Sequence, residues 1–189
     1  MCQMQNTKEA WGAVAKFFHW IIFAIFVAQF LMAEVMMGMV AAPENTFLGA
    51  GKWDLYGLHK SIGMLALVVI ALRVGWRLHS RTVPPVTGNL LEKLGAHGAH
   101  LALYAVMIGF PISGYLMSMA GGHGITVFGL FQLPDLVGKN PDLGKLAHQI
   151  HGICGTVAYI VVAVHVGAAL FHYYVKKDNV LTRMLPTRS

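Results

Sequence analysis

Residues 146–175 read LAHQIHGICGTVAYIVVAVHVGAALFHYYV, and this stretch decides the fold. It contains no Asp, Glu, Lys or Arg, and it is longer than the about 20 apolar residues that cross a lipid bilayer as a helix. Histidines interrupt it at His148, His151, His165 and His172. The stretch therefore predicts a membrane-spanning helix that holds imidazole groups in apolar surroundings.

Three more apolar stretches, at about 17–39, 55–78 and 96–120, are long enough to span a membrane. The composition of the chain agrees, because 12% of its residues are charged where a soluble domain has about 25%. We expect an all-α fold, a transmembrane four-helix bundle, formed as a single domain by residues 1–189. The first stretch is too long for the apolar part of a signal peptide, so we expect it to be retained as a span.

Glycines and prolines predict where the helices end or approach each other. Pro84 and Pro85 separate the second and third spans, because proline stops a helix. The sequence GFPISG at 109–114 predicts a kink or a close backbone approach in the third span. VFGLFQLP at 127–134 is too short to span, so we expect it to lie at the membrane surface or to cap the bundle.

The basic residues predict the orientation. An even number of spans places both chain ends on the same side, and if that side is the cytoplasm, most basic residues lie inside. The inner set is Lys8, Lys16, Arg73, Arg77, Arg81, Lys93, Lys176, Lys177, Arg183 and Arg188, and the outer set is Lys52, Lys60, Lys139 and Lys145. We therefore expect both termini to be cytoplasmic. Contact with anionic membrane lipid then explains the net charge of +6 without a nucleic-acid partner.

His151 and His165 lie on one face of the fourth predicted helix. Their separation of 14 residues corresponds to about 21 Å along the axis and about 40° of rotation. Ionisable residues inside membrane spans are costly and are usually functional. Two histidines near opposite membrane surfaces therefore predict two separate sites.

The direction of the chain supplies a partner for each of these histidines. The first span starts inside, so His19 lies at the depth of His165. The second span starts outside, so His59 lies at the depth of His151. Two neutral imidazoles can bind both faces of a haem iron, and four-helix bundles hold such sites. We therefore predict two b haems, an inner one with axial ligands His19 and His165 and an outer one with His59 and His151.

Other interpretations of these histidines remain open. A single histidine in a span can simply hydrogen-bond to a neighbouring helix. Zinc and copper also bind imidazole, although a separation of about 21 Å does not suit one tetrahedral centre. His148 competes with His151 as the outer ligand, and we prefer His151 because it has the 14-residue relation to His165.

Further polar residues cluster at the predicted inner ends of the helices. Arg73 and Arg77 are candidate partners of haem propionates or of a quinone carbonyl, or they extend to lipid headgroups. His172 shares a face with the inner ligand seven residues before it and approaches the inner haem. His97 and His100 either line a proton or quinone path or pack at the membrane surface.

Several motifs resemble the bacterial cytochrome b561 family over nearly the whole chain. They are FFHW at 17–20, LHKSIG at 58–63, HGAHLALY at 97–104, GFPISGYLMS at 109–118, VFGLFQLP at 127–134 and HVGAALFHYYVKKDNVLTRMLP at 165–186. The resemblance implies a four-helix bundle with two b haems, and the ligand positions of the family match His19, His59, His151 and His165.

The resemblance is closest to the superoxide oxidase member of the family. It implies a multi-pass protein of the bacterial inner membrane that oxidises superoxide at the periplasmic side and reduces ubiquinone. Superoxide would reach the outer haem, where Lys52 and Lys60 attract the anion. The inner haem would reduce ubiquinone, with Arg73 and His172 as candidate contacts.

Two other functions fit the same sequence. The chain is alternatively a cytochrome b anchor that relays electrons between a partner dehydrogenase or hydrogenase and the quinone pool. A transporter of metal ions or protons, lined by histidines, is the third possibility.

Overall fold

The computed structural model describes residues 3–8, 10–42, 44–84, 86 and 89–186. The long helices within these residues are α1 (Ala13–Gly38), α2 (Lys52–His79), α3 (Leu90–Ala120) and α4 (Pro141–Phe171), and α4 continues as a π-helical turn, His172–Lys176. Each of the four is long and apolar enough to cross a membrane, which confirms the expectation of four such helices. Pro85 and Arg188 lie outside the described residues.

All four helices begin three to six residues before the predicted apolar stretches. Hydropathy marks the part of a helix that crosses the lipid, whereas the first turns extend into the polar interface. Asparagine side chains cap two of these turns: Asn89 accepts from the N–H of Leu91 at 2.9 Å, and Asn140 accepts from that of Leu143 at 3.1 Å.

The fold is mostly helical, as expected, and short strands occur only in the described connections between the helices. Two antiparallel hairpins occupy the connections: β1 (Thr46–Phe47) pairs with β2 (Ala50–Gly51), and β3 (Thr126–Val127) pairs with β4 (Phe131–Gln132). The second hairpin contains most of the VFGLFQLP segment. Its Phe128 N–H donates to the hydroxyl of Ser61 on α2 at 2.9 Å, so the segment caps the bundle.

The helices pack in sequence order around a small core. α1 packs against α2, α2 against α3, and α3 most extensively against α4. The central cluster of buried residues is Ile22, Ala66, Ile70 and Met107. Side chains join α1 to α4: the rings of Phe30 and Tyr159 lie 4.4 Å apart, and the Tyr159 hydroxyl donates to Glu34 at 2.9 Å.

Both ends of the described chain lie at the same end of the bundle. The indole N–H of Trp20 near the start of α1 donates to the Met184 carbonyl at 2.9 Å, and Arg183 donates to the carbonyl of Pro84 beyond α2 at 3.1 Å. We call this the inner end and the opposite end the outer end. The side of the membrane that each end faces stays a prediction from the charges.

Candidate functional site

The inner pair consists of His19 on α1 and His165 on α4. Their ring centroids lie 6.2 Å apart, with the ring planes inclined at 50°. Both side chains are partly buried. The fold thus brings together the two histidines that their depth in the membrane had paired.

The outer pair consists of His59 on α2 and His151 on α4. Their ring centroids lie 6.4 Å apart, with the planes at 79°. His148, the rival for this position, is exposed, and its Nδ1 lies 3.2 Å from the sulfur of Met117 on α3. The geometry therefore pairs His59 with His151.

The spacing within each pair fits two axial ligands of one iron. An imidazole nitrogen lies about 1.1 Å from its ring centre, as ring bonds of about 1.3 Å require. With about 2 Å from nitrogen to a first-row metal, two rings on opposite faces of one iron have centroids about 6.3 Å apart. The observed separations, 6.2 and 6.4 Å, agree with this value. Among the described residues, no three or more His, Cys, Asp or Glu side chains are arranged to hold a metal ion.

The hydrogen bonds of the outer pair also suit haem ligation. The Nδ1 of His151 lies 3.1 Å from the carbonyl oxygen of Phe110. A carbonyl can only accept, so Nδ1 carries the proton and Nε2 keeps a lone pair that is available to a metal. In the other histidine of this pair, the Nδ1 of His59 is buried without a partner, and Gln29 donates to the His59 backbone carbonyl at 2.9 Å.

The GFPISG segment of α3, for which the sequence predicts a kink or a close backbone approach, lies beside the outer pair. A Cβ at Gly114 would be only 3.2 Å from Cε1 of His151, and a Cβ at Gly109 would be 3.5 Å from the sulfur of Cys154. Glycine at these positions lets α3 lie directly against the histidine face of α4. The prediction of a close backbone approach is confirmed.

Lysines lie at the outer end, as the sequence predicts. The Lys60 ammonium, next in sequence to His59, donates to the carbonyls of His123 at 3.3 Å and Gly124 at 3.4 Å. The Lys52 ammonium donates to the Met39 carbonyl at 2.8 Å. These contacts hold two positive charges at the outer end of the bundle.

The arginines of α2 lie at the inner end with unused donors. The Nε of Arg73 and the Nη1 of Arg77 are buried without hydrogen-bond partners, as is the indole nitrogen of Trp76. The guanidinium groups lie over aromatic rings, Arg73 at 5.9 Å from the centroid of Tyr104 and Arg77 at 5.3 Å from that of Trp11. Buried donors without partners suit an acceptor that enters the bundle, such as a propionate or a quinone carbonyl.

His172 is tied to the carboxyl-terminal segment. Its Nδ1–H donates to Asp178 at 2.6 Å. Burial raises the pKa of the Asp178 carboxyl, but the hydrogen bonds from His172 and from the N–H of Val180, with the positive charge of Lys176, hold that pKa below its ordinary value. His172 is therefore a fixed side chain with one nitrogen already engaged.

His100 lies against the inner pair, which sequence reasoning left undecided. Its ring centroid is 5.6 Å from that of His165, and its Nδ1 is bound to the carbonyl of Ala96 at 2.6 Å. His97 is bound in the same way to the carbonyl of Lys93 at 2.7 Å. Of the HGAH histidines, His100 is thus the one that shares the surroundings of the predicted inner haem.

Two contributions to the site were missed by the sequence analysis, the Phe110 carbonyl and the Ser113 hydroxyl. Ser113 Oγ lies 3.1 Å from the Nδ1 of His151 and 2.9 Å from the Phe110 carbonyl oxygen. The sequence contains no signal that points from this position to His151.

Comparisons with known proteins agree with this geometry. A model of the prokaryotic cytochrome b561 family matches residues 10–187. The chain is 31% identical to cytochrome b561 homolog 2 of Escherichia coli (strain K12) over 181 residues, 95% of this chain and 93% of that protein. It is 28% identical to cytochrome b561 homolog 1 of the same strain, over 91% of this chain and 94% of that protein.

A third relative has a more specific name. The chain is 33% identical to the probable superoxide oxidase CybB of Yersinia pestis over 133 residues, 69% of this chain and 74% of that protein. The family match covers nearly the whole chain and includes both histidine pairs. This protein therefore belongs to the prokaryotic cytochrome b561 family, whose members are haem b proteins of membrane electron transfer.

Proposed function

We propose that this protein oxidises superoxide at the outer, periplasmic end of the bundle and reduces ubiquinone in the bacterial inner membrane through two b haems. The observation that carries the proposal is the presence of two histidine pairs at opposite ends of one bundle, each with the spacing of a bis-imidazole site. The name of the Yersinia pestis relative supports the choice of superoxide as donor.

In this proposal the histidines hold and orient the two cofactors. His59 and His151 bind the outer haem, and His19 and His165 bind the inner one. When bound, the haems supply one-electron transfer between two sides of a membrane. The hydrogen bond from His151 to the Phe110 carbonyl keeps its Nε2 free to bind iron.

The outer end attracts the anionic donor. Lys52 and Lys60 place positive charge there, and a positive surface raises the local concentration of an anion such as superoxide. Two superoxide ions each lose one electron and leave as dioxygen, so no proton is required at this end.

The inner end handles the acceptor and its protons. Ubiquinone takes up two electrons and two protons to become the quinol, which balances the oxidation of two superoxide ions. The unpartnered Nε–H of Arg73 suits either a propionate or a quinone carbonyl. His172, fixed by Asp178, is a candidate quinone contact, and we place proton uptake at the cytoplasmic side.

Purified holoprotein supplied with enzymatically generated superoxide and a short-chain ubiquinone tests the proposal. We expect quinol to form, and superoxide dismutase to abolish its formation. The variant His165→Ala should accept electrons from superoxide but form little quinol. If wild-type haem becomes reduced and quinol never forms, the proposed acceptor is wrong.

One feature favours the alternative of a relay subunit for a redox partner. The β3–β4 hairpin and the segment after it expose large apolar side chains at the outer end, with Leu130 80% and Leu136 77% exposed. Such side chains suit a protein surface as well as a lipid surface. Co-purification of a dehydrogenase or hydrogenase subunit, with haem that superoxide does not reduce, would select this alternative.

A further inference from the structure

The four paired histidines differ in how their second ring nitrogen is bound. The Nδ1 of His59 is buried without a hydrogen-bond partner. Within the residues that the structure describes, the imidazoles of His19 and His165 form no hydrogen bond. The Nδ1 of His151 has two partners, the Phe110 carbonyl and Ser113 Oγ, each at 3.1 Å. The outer pair is therefore the one with a hydrogen-bonded imidazole.

The direction of these bonds follows from the chemistry of each group. The Ser113 hydroxyl donates its single proton to the Phe110 carbonyl at 2.9 Å. A lone pair of Ser113 Oγ then faces His151, so the Nδ1–H is shared between two oxygen acceptors. Ser113 is only 3% exposed, and a hydrogen bond in such a low-dielectric setting is stronger than in water.

Acceptors on Nδ1–H raise the basicity of the nitrogen that binds the metal. A more basic ligand stabilises the oxidised, more positive iron and so lowers the reduction potential of that haem. At the inner end, Arg73 lies over the Tyr104 ring with its Nε buried and without a partner, and a cation near a haem stabilises the reduced iron. Lys60, next in sequence to His59 and bound to the carbonyls of His123 and Gly124, has the same effect at the outer end and opposes the contribution of Ser113.

We propose that Ser113 is a positioning residue that lowers the reduction potential of the outer haem relative to the inner haem. A lower potential of the outer haem would favour electron flow from the outer end of the bundle to the inner end. The proposal rests on the function proposed above for the direction of flow and on His151 as an outer ligand.

Potentiometric titration of the purified holoprotein tests this role. Ser113→Ala should raise the potential of one of the two haem components by a three- to tenfold change in its reduction equilibrium, about 30–60 mV for one electron. Arg73→Gln should instead lower the potential of the other haem component. The two variants together then show which component is the outer haem and which is the inner haem. Ser118→Ala is the matched control: Ser118 is 3% exposed on the same helix, and its hydroxyl donates to the Gly124 carbonyl at 3.2 Å.

Haem content measured on each variant separates a change of potential from a loss of cofactor. Unmoved potentials in Ser113→Ala with full haem, or equal movement of both components, overturn the proposal. If Ser113→Ala loses haem, Ser113→Cys takes its place in the titration. This variant should also raise the potential of one haem component, by less than is expected for alanine. An unchanged potential in Ser113→Cys contradicts the role of Ser113. Wild-type quinol formation from superoxide is a separate result, so the proposed function and this inference fail independently.

Discussion

A histidine inside a membrane helix is costly when its ring nitrogens lack partners, because polar groups are poorly solvated in lipid. The Nδ1–H of His151 donates to the Phe110 carbonyl, and this bond selects the tautomer whose Nε2 is available to a metal. His148, one turn earlier, has its Nδ1 near the Met117 sulfur instead. Chemically identical residues on one helix are thus given different roles by their neighbours.

This difference predicts the outcome of single substitutions on α4. His151→Ala should lower the haem content from two per chain to one, since the outer iron loses a ligand. His148→Ala, the matched control, should retain both haems. A reduced-minus-oxidised spectrum gives the number of haems per chain in both variants. Two haems in His151→Ala would show that another residue ligates the outer iron.

The Asp178 carboxylate, which accepts from His172 at the inner end, predicts a pH dependence. The pKa of Asp178 is lower in the folded protein than in the unfolded chain, so its contribution to stability is present above the ordinary carboxyl pKa of about 4. That contribution is lost as the pH falls through the lower, folded value. We expect Asp178→Asn to destabilise the detergent-solubilised protein by about 1 kcal/mol at neutral pH.

Thermal unfolding of the wild type and of Asp178→Asn over a pH series measures this effect. The wild type should melt at the higher temperature at neutral pH, and the gap between the two melting temperatures should close below about pH 4 as the carboxylate is protonated. A gap that stays open at low pH would show that the aspartate acts through packing and not through its charge.

At the scale of helices, the close contact between α3 and α4 positions the outer pair. Gly114 allows this contact because a side chain there would meet His151. Pro111 lies inside α3 one turn earlier, beside the carbonyl that accepts from His151. The GFPISG segment therefore combines a smooth surface for α4 with an available backbone acceptor.

Enlarging the glycine tests this contact. Gly114→Ala adds a Cβ 3.2 Å from Cε1 of His151, and we expect a loss of stability of about 1–3 kcal/mol with partial loss of the outer haem. Gly98→Ala on the same helix meets nothing within 4 Å and should retain both haems. Haem content and thermal unfolding of the two variants give the comparison, and equal behaviour would show that α3 can shift to accept the methyl group.

At the scale of the whole molecule, both chain ends and the connection between α2 and α3 meet at the inner end. The outer end holds the two hairpins and the lysines. A bundle with different chemistry at its two ends suits transfer in one direction across a membrane. The orientation decides which compartment supplies the donor.

Reporter fusions in a bacterial host test the predicted orientation. Alkaline phosphatase, which is active only outside the cytoplasm, should be inactive when fused at the carboxyl terminus and active when fused within residues 133–139. A green fluorescent protein fused at the carboxyl terminus should fluoresce. The opposite pattern would place the lysines and the outer histidine pair in the cytoplasm and would exclude periplasmic superoxide as donor.

The sequence by itself determined the four spans and the pairing of His19 with His165 and His59 with His151. Membrane thickness and the alternating direction of the chain leave few arrangements for apolar stretches of this length. Depth in the membrane is a one-dimensional property, so counting residues from each span end was enough to obtain it.

The tertiary structure alone decided which side chains support those histidines. Ser113, the Phe110 carbonyl and His100 reach the pairs through the rotation of each helix about its axis and the contact of α3 with α4. The rotation of a helix depends on its packing against all neighbouring helices. Hydrophobicity does not reveal this rotation in a membrane span, because lipid and protein interior are equally apolar. The two hairpins were also seen only in the tertiary structure. Their strands are two residues long, which is too short for a periodic pattern in the sequence.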